Sequence, residues 1–243
     1  MASKLLPYLR KTLYLLSILI LFVLLFYLQK KQENQICSAI QIKINAPQEK
    51  ELITPDIIKN KLNTWYVGGL SGVSRHEISL LDIENRLEEL PAIKNAEVSF
   101  DLKGELTIEI LQHLPIVRIS NPKESYYIAE GFIKIPTEDI GAARVPIVSD
   151  TLSASMIKKV YTLSTYVQEN PFMQANTEQI FVENGDLAIV PKVMNQEIVI
   201  GDTLDLPKKF DNLKKFYVEG LHHLGWDRYQ SINLKYKNQI ICK

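Results

Sequence analysis

The chain has 243 residues, of which 46% are hydrophobic and 23% are charged, with 28 basic and 28 acidic side chains. This composition excludes a disordered tail, a collagen-like repeat and a small disulfide-rich scaffold. The first 31 residues carry five basic side chains and no acidic one, which leaves 23 basic against 28 acidic groups in the remainder. An acidic body of this kind argues against general nucleic-acid binding.

The first predicted element is a single transmembrane helix from Thr12 to Leu28, a run of seventeen uncharged residues rich in Leu and Ile. Tyr14 and Tyr27, near its ends, suit the membrane interface. A cleaved secretory signal is the alternative, but the run exceeds the usual signal core and no small-x-small cleavage site follows it. The weak excess of basic residues before the span predicts that residues 1–11 are a cytoplasmic stub.

Residues 37–114 are predicted to form one module with the element order strand, helix, helix, strand, strand. The elements are a strand at 40–44, a helix that begins at Thr54, a helix from about Leu80 to Leu90, and strands at 96–100 and 106–110. Pro91 ends the second helix, and a turn that contains Gly104 makes the last two strands a hairpin.

Residues 115–243 are predicted to form a mixed β-domain with two helices, which begin at the Ser153 cap and near Pro207. Its short strands are predicted at 116–119, 126–129, 133–135, 146–148, 179–182, 187–190 and 198–200. A final pair of strands within 231–243 turns at Lys237 and Asn238. The fold class is therefore α+β, with an open sheet edge at the carboxyl end of the chain.

Several short motifs follow the same order as these elements. They are Leu90-Pro91-Ala92-Ile93, Gly104-Glu105-Leu106-Thr107-Ile108, Gln112-His113-Leu114-Pro115-Ile116-Val117-Arg118, Tyr126-Tyr127-Ile128, Arg144-Val145-Pro146 and Leu234-Lys235-Tyr236-Lys237-Asn238-Gln239. With a basic stub, one span, a POTRA module and a β-domain, the chain resembles the bacterial cell division family FtsQ, also called DivIB, over nearly its whole length. The resemblance implies a non-enzymatic scaffold of the divisome in the cytoplasmic (inner) membrane, with a periplasmic C-terminal domain at the division septum.

The resemblance also implies partners, which are FtsB and FtsL and, through them, FtsW and FtsI. In the family, FtsB joins the β-domain at its C-terminal end, where an edge strand offers unpaired backbone groups to an added strand. The residues predicted for this contact are Ile232, Leu234, Lys235, Tyr236, Gln239, Ile240 and Ile241. Tyr236 matches the aromatic residue that relatives use there, and packing on the sheet is the alternative for this side chain.

Two further surfaces are predicted. In relatives, the second helix and the following strand of the POTRA module help recruitment to the division site, so the resemblance implies a recruitment surface at Glu84, Glu88 and Val98. The two glutamates lie on the polar side of that helix, and a merely solvated helix face is the alternative. Arg118 is predicted to hold the two modules in register.

No catalytic, cofactor or metal site is predicted. The four histidines form no HExxH motif, and Gly69-Leu70-Ser71-Gly72-Val73 lacks the second glycine of a nucleophile elbow. Cys37 and Cys242 form neither a CxxC motif nor a zinc pair, and a disulfide between them requires the first strand and the chain end to meet. Two separate small apolar residues are the favoured interpretation.

A different class of function is left as the alternative. A POTRA-bearing component of envelope transport or assembly would chaperone polypeptides by strand addition. A transport pore would need a β-barrel or more POTRA copies, and the sequence predicts one module, a mixed β-domain and a helical anchor.

Overall fold

A computed structural model describes residues 2–33, 35–192, 196–226 and 228–243. The side chains of residues 2–12, 28–29, 31–33 and 224 lie outside the described set. The chain divides into two compact units, which we describe separately. The first unit comprises residues 1–45, 55–90 and 95–111, and the second comprises residues 46–54, 91–94 and 112–243.

The chain begins with helix α1, Ala2–Glu33, in which the large apolar side chains between Leu13 and Tyr27 are exposed. Among the described residues, no helix has both the length and the apolar character that crossing a membrane requires. The span predicted from Thr12 to Leu28 stays a prediction, and the side chains of both end residues lie outside the described set. The side chains of the basic residues before the span, which suggested its orientation, lie outside it as well.

The first unit has the predicted order of two helices and three strands. The elements are β1 (Ala39–Asn45), α2 (Pro55–Trp65), α3 (Leu80–Glu88), β2 (Ile93–Phe100) and β3 (Glu105–Gln112). The sheet has the order β1-β3-β2, with β1 parallel to β3 and Ile42 opposite Ile108. Strands β1 and β2 are therefore the two edges of this sheet.

Amphipathic periodicity explains the first unit. Helix α2 buries Ile58 and Leu62, and helix α3 buries Ile83 and Leu87, at helical spacings of four. Alternate residues of β3 are buried, as expected for a strand with one covered face. The hairpin turn requires Gly104, because φ is +88° and a Cβ there would lie 2.6 Å from the carbonyl oxygen of Ile36.

The second unit is a nine-stranded sheet with helices. Its strands are β4 (Pro115–Ser120), β5 (Ser125–Ala129), β6 (Ile133–Pro136), β7 (Ile147–Val148), β8 (Thr177–Glu183), β9 (Asp186–Pro191), β10 (Glu197–Gly201), β11 (Ser231–Asn233) and β12 (Ile241–Cys242). Its helices are α4 (Ala154–Glu169), α5 (Pro171–Asn176), α6 (Leu206–Lys215) and α7 (His222–Leu224). The strand order is β12-β11-β10-β9-β8-β7-β4-β5-β6, so β12 and β6 form the edges. Together the two units confirm the α+β class.

Three details of the second unit differ from the prediction. Helix α5 was not predicted, although Asn170 caps it by accepting a hydrogen bond from the Met173 N–H at 3.1 Å and Pro171 occupies its first turn. The helix predicted after Pro207 is interrupted by a π-helical turn over Phe216–Leu221, between α6 and α7. The final strands are shorter than predicted, because residues 234–240 form a connection around Asn238, whose φ is +58°.

The core of the second unit joins the helices to the sheet. Helix α4 contributes Val160, Leu163 and Val167, which recur at helical spacings of three and four on one face. Phe210 of α6 belongs to the same cluster and stacks on Tyr166, with ring centroids 5.3 Å apart. Burial of these side chains holds the helices on the sheet.

The side chain of Gln112 holds a separate segment of the second unit. Its Oε1 accepts hydrogen bonds from the N–H groups of Leu52 (2.7 Å) and Ile53 (3.0 Å), and its Nε2 donates to the carbonyl oxygen of Lys50 at 2.8 Å. Gln112, Leu52 and Ile53 are all buried. Since a buried N–H without a partner is costly, this amide stabilises the path of residues 50–53.

Candidate partner-binding edges

The carboxyl end of the chain forms one margin of the nine-stranded sheet. Strand β11 pairs in parallel with β10, with Ile232 opposite Ile198, and antiparallel with β12, with Ile232 opposite Cys242. The outer side of β12 pairs with no other strand in the described part of the chain. This margin therefore offers backbone donors and acceptors, as the sequence predicted.

The seven predicted tail residues divide into three groups. Ile232 (0% exposed) and Leu234 (2%) lie in the core, so their side chains support the edge from inside. Tyr236 (53%) and Ile241 (40%) are exposed and apolar or aromatic. The remaining three residues are Lys235 and Gln239, which are exposed, and Ile240, which is half-buried.

Lys235 is held in place by its neighbours. Its Nζ lies 2.5 Å from Oδ2 of Asp186, and its backbone N–H donates to Oδ1 of Asn233 at 2.9 Å. The hydrogen bond to Asp186 raises the pKa of the Lys235 ammonium group. The stem of Lys235 covers Gly201, where φ is +78° and a Cβ would lie 2.6 Å from Cγ of Lys235. The side chain therefore positions the connection that carries Tyr236.

A groove of about 200 Å³ lies beside this connection. The side chains of Leu204 and Tyr236 are exposed along it, and Lys208 also lines it. Lys209 is the fixed part of the wall, because its Nζ lies 2.6 Å from Oδ1 of Asp202 and 3.0 Å from the carbonyl oxygen of Ile200. Exposed apolar side chains among charged and amide residues are a surface suited to contact with a polypeptide.

The predicted recruitment residues of the first unit meet at strand β2. The N–H of Val98 donates to Oε1 of Glu84 at 2.8 Å, and the N–H of Ala96 donates to Oε1 of Glu88 at 3.1 Å. The same Glu88 oxygen accepts from Nδ2 of Asn95 at 3.1 Å. The structure thus brings Glu84, Glu88 and Val98 together, with the carboxylates on the margin of the sheet.

Arg118 contacts strand β5 of its own unit. Its Nε donates to Oγ of Ser125 at 3.1 Å, and its guanidinium carbon lies 5.7 Å from the ring centroid of Tyr127. Both contacts join side chains of the two paired strands β4 and β5. The predicted role in holding the two modules in register stays a prediction.

Both cysteines are free thiols. Burial raises the pKa of the Cys37 thiol and of the Cys242 thiol, which disfavours the reactive thiolate. Within residues 2–33, 35–192, 196–226 and 228–243, no group of three or more His, Cys, Asp or Glu side chains is placed to hold a metal ion.

Sequence reasoning missed the structural use of Gln112, Lys209 and Asp186. The sequence contained a signal for Gln112, because it follows Leu106, Ile108 and Ile110 at the two-residue spacing of the β3 side chains that point into the core. A polar residue in such a phase requires a buried partner. Lys209 and Asp186 had no local signal, since Lys209 binds the carbonyl oxygen of Ile200 in strand β10 and Asp186 lies 49 residues from Lys235.

Comparisons with known proteins agree with this architecture. A family model described as FtsQ/DivIB, C-terminal related, matches residues 114–243, which is more than half of the chain. A model described as a POTRA-like domain matches residues 35–111. No curated protein matches the chain.

Proposed function

Because the chain belongs to the FtsQ/DivIB family, we propose that it is a scaffold of the bacterial divisome that acts by binding and catalyses no reaction. The two family domains support a role in cell division. The proposed partners are FtsB and FtsL, with FtsW and FtsI reached through them. In this role the protein links early and late division proteins and supports septal peptidoglycan synthesis.

The unpaired outer side of β12 is the observation that carries the proposal. A segment of FtsB adds to this edge as a further strand, and main-chain hydrogen bonds give the affinity. Ile241 supplies exposed apolar surface on β12 itself, and Tyr236 supplies an exposed ring on the connection between β11 and β12. Tyrosine is frequent among residues that dominate interface energetics, because it buries a large rigid ring.

We propose that helix α1 anchors the protein in the cytoplasmic membrane, with a cytoplasmic amino terminus and a periplasmic C-terminal domain. Two observations support this part: the uncharged run from Thr12 to Leu28 and the exposure of the large apolar side chains between Leu13 and Tyr27. Extraction of membranes with alkaline carbonate tests it. The protein stays in the pellet if the anchor is integral and moves to the supernatant if it is not.

Depletion of the protein in its own host tests the division role. We expect long multinucleoid filaments with a smooth envelope, imaged over several generations, because septal synthesis stops while growth continues. Normal division with blebbing or loss of envelope proteins would instead favour the transport or assembly function.

Replacement of Tyr236 by Ala tests the partner edge. We expect folding to be unchanged and the affinity for an FtsB peptide to fall by about 1–3 kcal/mol, or roughly 5- to 150-fold in Kd. Leu102→Ala is the matched control, because Leu102 is also an exposed apolar residue but lies in a turn of the first unit. Equal affinity of the Tyr236→Ala variant and the unmodified chain in a titration would remove the edge from the proposal.

A further inference from the structure

The outer margin of strand β2 is occupied by side chains of helix α3. Val98 and Ala96 are alternate residues of an edge strand, and their N–H groups bind carboxylate oxygens of Glu84 and Glu88. Alternate residues of a strand point their backbone groups to the same side. These two N–H groups are therefore the donors that an added strand would use.

Helix and strand geometry explain why two glutamates fit two amides. Residues four apart on a helix are separated by about 6.0 Å along its axis, and residues two apart on a strand by about 6.8 Å. Glu84 binds the later strand residue, Val98, and Glu88 binds the earlier one, Ala96, so α3 runs antiparallel to β2. The carboxylates thus imitate two successive carbonyl groups of a neighbouring strand.

Helix α3 is fixed in a position from which its two glutamates reach the two N–H groups of β2. Ile83 and Leu87, each next to one of the two glutamates in sequence, are fully buried. The helix is capped by Ser79, whose hydroxyl accepts from the N–H of Asp82 at 3.3 Å. Packing and capping fix the backbone, so Glu84 and Glu88 reach β2 from a stable base.

We propose that Glu84 and Glu88 form a latch that closes the β2 edge against strand addition, and that the strand that fits the unlatched edge is β2 of a second copy of this chain. In an antiparallel pair, a residue donates and accepts on the same side, so Ala96 and Val98 also direct carbonyl groups outward. The carboxylates satisfy only the donors, because an ionised carboxylate cannot donate to those carbonyls.

The choice of occupant follows from self-complementarity. Two identical edges in antiparallel arrangement about a twofold axis exchange both N–H and carbonyl bonds, which the two carboxylates cannot do. A second β2 is also present at the concentration of the protein itself. The latch therefore acts as protection against edge-to-edge association, which exposed sheet margins otherwise promote.

The test uses the full chain in detergent with both glutamates replaced, Glu84→Ala and Glu88→Ala. We expect amide hydrogen exchange at Ala96 and Val98 to accelerate at least about tenfold, because both N–H groups lose their acceptors. We also expect concentration-dependent dimers in sedimentation velocity, in contrast to the unmodified chain. Glu84→Gln with Glu88→Gln is the matched control, because the amide oxygens still accept these hydrogen bonds and the edge stays closed.

Two results overturn the proposal. Unchanged exchange at Ala96 and Val98 in the folded Ala variant would show that the carboxylates do not close the edge. Faster exchange without self-association at any concentration would show that the open edge does not fit a second copy. If the double variant does not fold, the single variants decide. Glu84→Ala must accelerate amide exchange at Val98 only, and Glu88→Ala must accelerate it at Ala96 only. Glu89→Ala, which changes an exposed neighbour, must accelerate exchange at neither residue.

Discussion

Strands β12 and β2 each form one edge of their sheet, but the two edges differ in what lies next to them. Strand β12 has only two residues, of which Ile241 is exposed, and Tyr236 is exposed in the connection that precedes it. Strand β2 has eight residues, and two of its N–H groups are bound by carboxylates from a helix. The longer margin is the one that is closed, as expected if long free edges are the greater association hazard.

Neighbouring side chains, and not the strand alone, therefore decide whether a sheet edge is available for pairing. At the C-terminal margin, the fixed groups lie behind the edge: Ile232 in the core and Lys235 on Asp186. At the β2 margin, the fixed groups Glu84 and Glu88 lie on the outside of the edge. The first arrangement positions a binding surface, and the second covers one.

The largest expected effect is on stability, and it distinguishes a buried residue that supports the C-terminal margin from an exposed residue on the surface of that margin. Ile232→Ala should lower the free energy of unfolding of the second unit by about 2–4 kcal/mol, because it leaves a cavity where β11 joins β10. Urea denaturation followed by Trp226 fluorescence, in a Trp65→Phe background, measures it. Ile241→Ala is the control at 40% exposure and should cost less than about 1 kcal/mol. Equal costs would mean that the strand pair is not anchored through Ile232.

A second prediction compares two side chains that accept hydrogen bonds from backbone N–H groups, one buried and one at a sheet edge. Gln112→Ala should destabilise the second unit by about 2–3 kcal/mol, because the buried N–H groups of Leu52 and Ile53 lose their acceptor. Glu84→Ala should cost about 1 kcal/mol or less, since water can reach the margin of β2. The same urea denaturation measures both free energies of unfolding, and Trp65 fluorescence reports on the first unit. A larger loss for Glu84→Ala would show that water does not reach the Val98 N–H once the carboxylate is removed.

A third prediction concerns the position of the partner edge. Gly201→Ala should cost about 1–3 kcal/mol, because it combines a positive φ with a clash against the stem of Lys235. Gly185→Ala is the control, since its φ of +84° is similar but its Cβ would meet nothing within 4 Å. The difference in melting temperature between the two variants isolates the clash. No difference would mean that Lys235 moves freely and does not position Tyr236.

The smallest expected effect concerns helix α3, which carries the latch. Burial first, and then the hydrogen bond to Asp82 at 2.6 Å, raises the pKa of Tyr66 from 10 to about 12. Because the native pKa is the higher one, the first unit keeps this contribution below pH 10 and loses stability as the pH rises through about 12. Asp82→Asn should lower the native pKa of Tyr66, so that the first unit loses this stability at a lower pH. An ultraviolet titration of the tyrosine would record the lower pKa.

Tyr217 of the second unit is the internal control for the alkaline titration. Burial alone raises its pKa to about 12, so Asp82→Asn should leave the alkaline behaviour of the second unit unchanged. An equal shift in both units would show that the variant acts on the whole chain and not on the tie between α3 and Tyr66.

Much of the fold was predictable from local pattern. Alternating isoleucines identified β1, helical spacing identified α3 and α4, and the turn near Asn238 was expected from its residues. The candidate site was predictable only in outline. The carboxyl end was expected to be an edge, but the burial of Leu234 and the length of the connection before Ile241 were not.

The sequence by itself determined which segments become helices and strands, their order, and the motifs that mark the family, because periodicity, caps and turns act over a few residues. Only the tertiary structure decided which strands lie at the margins and which margin is closed. Those outcomes depend on partners that are distant along the chain: Glu84 and Val98 are 14 residues apart, and Lys235 and Asp186 are 49. Packing sets these distances, so hydrogen bonds between such residues exist only once the sheets and helices have assembled.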